Sequence, residues 1–235
     1  MKSKRLKEKA KKSIFKITLI EIIILRLLKV FDKKQIIICT TSFQNNNYFR
    51  KVALKYKINL FLGSNKNVFK RIIDCQKKFK FSHFVRITGD NPLTDIDSLC
   101  KLSLHHIKNN NDYTFTKSIS IGLRSEVIKI KALRKAYQLA IDPNSSEYMS
   151  YFFQNKLFKY EFLKFKKFIP HEEKYSITVD YLKDYLLLKK IIRKISEIYL
   201  SRKAIVHRLR KFSNKVNISK NFALKNSVYD VRLKI

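Results

Sequence analysis

From residue 17 onward, short β-branched runs alternate with longer stretches whose apolar residues recur at helical spacing. No other feature restricts the fold of this chain as much. The run "QIIICTT" (Gln35 to Thr41) is continuous and ends in polar residues, the pattern of a strand covered on both faces of a parallel sheet. A helical pattern follows from about residue 46 to 57. Next comes a strand "INLFLG" ending at Gly63, then a helix opening near Ser64 with "SNKN" as its capping region. "HFVRITG" reads as a third strand, residues 95 to 109 as a helix, and "DYTFT" (Asp112 to Thr116) as a fourth strand. A β-α-β-α-β order implies right-handed crossovers and an α/β fold with a doubly wound, mostly parallel sheet. In such sheets ligands bind beyond the carboxyl ends of the strands.

The second half is less regular. A strand over about residues 125 to 130 runs into a helix, and "SSEYMSYFFQN" continues as a second helix. "KYSITVD" (Lys174 to Asp180) reads as a further buried strand, followed by one long helix, "YLKDYLLLKKIIRKISEIYL". Beyond it the chain is basic and weakly patterned, with one helix expected near 202 to 212. The division expected is a main domain over residues 1–200 and a basic tail over 201–235. With three glycines and three prolines in 235 residues, no stretch reads as a flexible linker.

The apolar run from Ile17 to Val30 carries Glu21 and Arg26 and falls short of the roughly 20 apolar residues a membrane span needs. It reads as a core helix with no signal-peptide cleavage site after it, so the expectation is a cytoplasmic protein with no membrane span. Cys39, Cys75 and Cys100 have no metal-ligand spacing and read as buried free thiols of a reducing compartment. The five histidines also lack metal spacing.

The net charge of +34, from 52 basic and 18 acidic residues, raises the possibility of a polyanion partner. Lysines are spread along almost the whole length, however, and most aromatics fall inside apolar runs. A nucleic-acid binder needs a contiguous basic face with exposed aromatics interleaved. A generic lysine-rich surface explains the charge better, and nucleic acid is the weaker partner.

Two predicted strands end in an aspartate: Asp90 after "VRITG" and Asp180 after "SITV". Both carboxyl ends lie on one edge of a parallel sheet. Two carboxylates there can hold a Mg²⁺ ion, which takes one or two carboxylates together with phosphate oxygens. The alternative is local: Asp90 in an Asx-type turn, and Asp180 as the cap of the next helix.

"VRITGDNPL" resembles the motif of the cytidylyltransferases that activate sugars for surface polysaccharides. The branch it most resembles is named for spore coat polysaccharide biosynthesis, related to acylneuraminate and deoxy-octulosonate cytidylyltransferases. "CTTS" (Cys39 to Ser42), "LGSNKNVFKR" (Leu62 to Arg71), "GLRSEVIKIKALRKA", "SEYMSYFFQN" and "ITVDYLKDYLLLKKI" resemble further family segments in the same order, over about residues 1 to 200. The resemblance implies a sheet of nucleotide-diphospho-sugar transferase type. It also implies transfer of CMP from CTP to a sugar or sugar acid, with release of pyrophosphate, and Asp90 and Asp180 as Mg²⁺ ligands. It implies triphosphate contacts from an opening loop close to S-x-R-L-P-x-K, matched here by Ser3, Arg5, Leu6 and Lys9, with Arg5 and Lys9 on the phosphates. Lys7 stands where that loop has proline, and Glu8 brings a negative charge near the expected phosphates.

The family strand that precedes the loop has no counterpart, and the expectation is that the native start lies upstream. Ser64, Asn67 and Arg71 border the nucleotide by resemblance, although Ser64 and Asn67 also read as helix caps and Arg71 as a helix-surface residue. Arg124 and Glu126 are candidates for the sugar acid. A homodimer is compatible with this reading. An inactive scaffold of the family, or a glycosyltransferase of related fold, is the alternative to an active transferase.

Overall fold

The computed structural model describes residues 6–42, 46–212 and 233–234. Its first elements form a small platform. A 3₁₀ turn over Lys9–Lys11 leads into an antiparallel hairpin of β1 (Ser13–Ile14) and β2 (Ile17–Thr18). The two residues of its turn, Phe15 and Lys16, both have positive φ, as a tight two-residue hairpin turn requires. The apolar run then forms α1 (Leu19–Leu27), the expected core helix. Glu21 accepts from the backbone N–H of Thr18 at 2.9 Å, closing the first turn. The same carboxylate takes Lys55 Nζ at 2.7 Å and the Tyr56 hydroxyl at 3.1 Å, which ties α2 (Asn47–Tyr56) to α1.

The sheet is in two pieces. β3 (Ile37–Thr41) and β4 (Asn59–Gly63), joined through α2, pair in parallel from Ile37↔Asn59 to Thr41↔Gly63. The second piece has the order β5 (His83–Arg86), β7 (Glu126–Lys129), β6 (Tyr113–Phe115), β8 (Tyr160–Phe162). There β7 is antiparallel to both neighbours, and β6 and β8 are parallel. The protein is α/β with mixed sheets. The mostly parallel expectation fails at β7 because no crossover helix separates it from β6, and a strand that returns through a loop runs antiparallel.

Helices cover the sheet pieces. α3 (Val68–Phe79) begins four residues after Ser64, because Asn67 is its cap and accepts from Lys70 N at 2.8 Å. α4 (Ile96–Lys108) is capped by Asp95. α5 (Ile130–Leu139) packs with α3 around buried Phe69, Leu133, Phe152 and Phe153. The second helix expected near residue 150 is mostly a 3₁₀ turn (Pro143–Tyr148), with α6 (Met149–Phe152) a single turn.

Two expectations are corrected in the last third. Residues 174–180 are not a strand of either sheet. Among the described residues their ladder contact is an isolated parallel bridge, Ile121↔Ser176. The segment is extended, with Ile177 and Val179 buried, but its bonds go first to Ile121 and then to Asp90 rather than along one continuous strand. Ile121 N donates to Tyr175 O, Ile177 N to Ile121 O, and Val179 N to Asp90 O. The long helix is also broken into α7 (Leu182–Ile191) and a 3₁₀ turn over Ile195–Tyr199. Arg208 of α8 (Arg202–Phe212) causes the break. It donates to the carbonyl of Ile191 at 2.5 Å and pairs with Glu197 at 2.6 Å, satisfying the helix end from outside.

α8 matches the expected helix, and it buries Ile205, Val206 and Leu209 in the cluster that also holds Leu19, Leu93, Ile177 and Val179. Arg202 at its start is buried, 3.6 Å from Asp95 and 3.5 Å from the fully buried Glu172. Among the described residues, no helix is long and apolar enough to cross a membrane. All three cysteines are free, but only Cys75 is buried; Cys39 and Cys100 are half-covered.

Candidate active site

The loop after β5 builds one wall of the site. "TGDN" turns sharply, with Asn91 N donating to Thr88 O at 3.0 Å. The Thr88 hydroxyl donates to Asp90 Oδ1, and Asn91 Nδ2 donates to the Thr88 hydroxyl at 2.9 Å. This chain of side chains orients the Asp90 carboxylate. The sequence reading missed Thr88 and Asn91, although their positions beside Asp90 in the same turn were the available signal.

The second wall is the extended segment ending at Asp180. It lies against the first through Val179 N to Asp90 O, 2.9 Å. The close approach of Ile121 and Gly122 holds that segment in place. Gly122 has φ of 89°, and a Cβ there would stand 2.6 Å from Thr178 N. Only glycine accepts both the left-handed conformation and the contact. Asp180 does not cap α7. Asp184 does, accepting from Asp180 N at 3.0 Å and Tyr181 N at 2.8 Å. The Asp180 carboxylate is left to face the site.

The third wall is the opening loop. Leu6 N donates to Asp180 O at 2.8 Å. Lys9 Nζ then lies 2.7 Å from Asp90 Oδ2 and 2.7 Å from Asp180 Oδ1. Both oxygens are that far from one nitrogen, so they are at most twice 2.7 Å apart. Burial works against the Lys9 charge, yet the hydrogen bonds it donates to Asp180 and Asp90, with the attraction of both carboxylates, outweigh it and raise its pKa above the ordinary lysine value. Glu8 turns away. Its side chain is exposed and paired with Lys11 at 2.5 Å, so the repulsion expected from it is offset locally.

One cation, the Lys9 ammonium, is already shared by the two carboxylates. The pair is therefore arranged as a site for one positive ion. Among the described residues no group of three or more His, Cys, Asp or Glu is placed for a metal. The described acid pair is thus a two-carboxylate arrangement. It fits Mg²⁺, which keeps several waters and binds through one or two carboxylates plus substrate phosphates.

The remaining candidates form other groups. Ser64, Asn67 and Arg71 lie at the carboxyl end of β4. Ser64 Oγ accepts from Asn67 N at 3.2 Å, and Arg71 Nη1 donates to Ser64 O at 3.0 Å, so both act locally on the entry to α3. Arg124 donates to the carbonyls of Ile119, Lys117 and Glu173. Glu126 accepts from Arg86 Nη1 at 2.6 Å and the Tyr113 hydroxyl at 2.7 Å, bracing β5, β7 and β6. Ser3 and Arg5 lie outside the described residues. An open cleft of about 630 Å³ is lined, among the described residues, by His207, Arg208, Arg210 and Lys211, and includes neither Asp90 nor Asp180.

The family model described as "Cytidylyltransferase" matches residues 1–205. This chain belongs to the cytidylyltransferase family. It is 33% identical over 226 residues to an uncharacterized protein, MJ1063, of Methanocaldococcus jannaschii, covering 95% of this chain and 93% of that one. It is 24% identical over 169 residues to the spore coat polysaccharide biosynthesis protein SpsF of Bacillus subtilis, covering 71% and 70%. A cytidylyltransferase structure from Leptospira borgpetersenii superposes with a TM-score of 0.80 at 21% identity, over 89% of this chain and 90% of that one. A CMP:2-keto-3-deoxy-manno-octonic acid synthetase solved with CTP superposes at 0.59 and 11% identity, over 80% and 92%. These two likenesses establish a shared fold. The family makes this chain a nucleotidyltransferase-type protein, in agreement with the resemblance carried by "VRITGDNPL" and its collinear segments.

Proposed function

We propose that this protein transfers CMP from CTP to a hydroxyl of a sugar or sugar acid destined for a cell-surface polysaccharide, and that Asp90 and Asp180 hold the Mg²⁺ ion the reaction needs. The observation that carries this reading is the convergence of the two carboxylates on one ammonium, each at 2.7 Å. In the transfer, the acceptor hydroxyl oxygen forms a bond to the α-phosphorus, the bond from that phosphorus to the bridging oxygen breaks, pyrophosphate leaves, and the hydroxyl proton goes to solvent. Mg²⁺, when bound, supplies charge stabilisation on the phosphate oxygens.

The chain's own residues do the positioning. Thr88 and Asn91 hold Asp90 in orientation. The 174–180 segment, fixed by Gly122, presents Asp180. Lys9 and Arg5 are assigned to the triphosphate, and Ser3, Ser64, Asn67 and Arg71 to the nucleotide border. Arg124 and Glu126 are assigned to the sugar end, where their internal bonds make a positioning role the simpler one. The two sheet pieces are read as one doubly wound sheet of nucleotide-diphospho-sugar transferase type. The transferase unit is taken to include α8, whose apolar face is in the core. A cytoplasmic location fits the use of CTP.

The test is pyrophosphate release by the purified full chain with CTP, Mg²⁺ and a panel of sugar acids, read beside Asp90→Asn and Asp180→Asn. Turnover that falls at least about a hundredfold in each variant, with unchanged melting, is the expected result. Equal turnover by all three proteins removes the metal assignment.

A further inference from the structure

Lys9 is placed where a metal ligand set expects a metal. Its Nζ makes two charge-assisted bonds of 2.7 Å, to carboxylates that come from segments 90 residues apart in the chain. Neighbouring lysines do not share this arrangement. Lys11 is spent on Glu8, and Lys7 lies in an exposed turn. The backbone that carries Lys9 is tied to the same wall by Leu6 N to Asp180 O. The side chain it carries is a flexible four-carbon stem, 29% exposed.

We infer that Lys9 is a tethered cation that fills the divalent-ion place of the nucleotide-free protein, so that metal and CTP enter cooperatively. The inference rests on the metal assignment above. A divalent ion and an ammonium compete for these two carboxylates, because like charges a few ångströms apart repel in a partly desolvated site. Seating the ion therefore favours withdrawal of the ammonium. It leaves at little cost only toward another anion, and the triphosphate is the anion the reaction supplies. Lys9 thus holds the acid pair in register while the site waits, then exchanges two carboxylates for phosphate oxygens as the ion arrives. Coupling of this kind is reciprocal: CTP tightens metal binding by the factor with which metal tightens CTP binding.

The experiment measures free Mn²⁺ by electron paramagnetic resonance against the full chain, its Lys9→Met, Lys11→Met and Asp90→Asn variants, without nucleotide and then with CTP. Without nucleotide, Lys9→Met is expected to bind Mn²⁺ on the order of tenfold more tightly than the parent, with Lys11→Met like the parent. Lys9→Met should also melt lower in chelator, since two carboxylates then face each other, and recover more of its stability on adding Mn²⁺. Equal or weaker Mn²⁺ binding by Lys9→Met overturns the inference, and Lys9→Gln is read the same way if the methionine variant does not fold. The two readings fail differently. If Asp90→Asn abolishes Mn²⁺ binding with CTP while Lys9→Met matches the parent without it, only the tethered-cation role falls. If Asp90→Asn changes nothing even with CTP, the metal assignment falls and takes this inference with it.

Discussion

Glu126→Gln separates a structural role from a substrate role, and the structure sets its size. The substitution keeps the shape of the side chain and removes its charge. The carboxylate holds Arg86 at 2.6 Å and the Tyr113 hydroxyl at 2.7 Å, with side chains only 13% exposed at Glu126 and 21% at Arg86. At that exposure solvent screens the pair only in part, so it is worth more than the fraction of a kilocalorie of a surface ion pair. Breaking a fully buried pair costs about 3–5 kcal/mol, and a charged hydrogen bond contributes about 1.5–3 kcal/mol. The glutamine amide still accepts one bond, so the expected loss is about 2 kcal/mol, or about 4–8 °C of melting temperature for a chain of this size. Tyr113→Phe should cost less, and the double variant should fall short of the sum, because both act on the same Tyr113–Glu126 bond. Thermal and urea unfolding, each paired with the KM for the sugar acid, provide the readout. An unchanged melting temperature with a tenfold higher KM would refute the reasoning and return Glu126 to the substrate.

Gly122→Ala should destabilise by about 2–4 kcal/mol and weaken CTP-dependent metal binding in the same protein, because the added carbon meets the backbone that carries Asp180; urea midpoints and Mn²⁺ titration measure the two effects. Burial first, then His83 and Lys129, push the fully buried His106 from 6.5 down to about 4, against the smaller opposite pull of Asp112. The unfolded chain therefore takes up a proton that the folded one refuses. The stability this group contributes is complete above pH 6.5 and is lost as pH falls toward 4, by about 2–3 kcal/mol. His106→Gln should flatten the pH dependence of the urea midpoint across that window, and an unchanged slope would contradict the assignment.

The first half of the fold was readable because its signals are local. β3, β4, α2 and α3 follow from β-branched runs, apolar spacing and the Asn67 cap, each contained in a dozen residues. Residues 174–180 misled for a physical reason. Alternation along "SITV" reports which side chains are buried, and Ile177 and Val179 are. Membership of a sheet depends instead on a continuous partner, and here the partners are Ile121, Asp90 and Leu6 in turn. The break after Ile191 depends on Arg208, supplied by another helix, and is invisible in the pattern of α7 itself.

At the site, the acid pair was legible because both aspartates follow apolar extended runs, although only the run before Asp90 contains a strand of the sheet. Lys9 was legible only through the motif, and its partners were not. Matching a phosphate-binding loop identifies a cation, but which anion it faces depends on how the loop folds back on Asp180. The bonds of Glu126 to Arg86 and Tyr113 join three strands that are far apart in sequence, so an acid beside a family motif looked free when it was not.

Crystals of the full chain grown with CTP and Mn²⁺, and measured at the manganese absorption edge, test the central claim most directly. The account predicts an anomalous peak bound by the carboxylates of both Asp90 and Asp180, with Lys9 Nζ withdrawn to the triphosphate. A bound nucleotide whose metal contacts neither aspartate would contradict it.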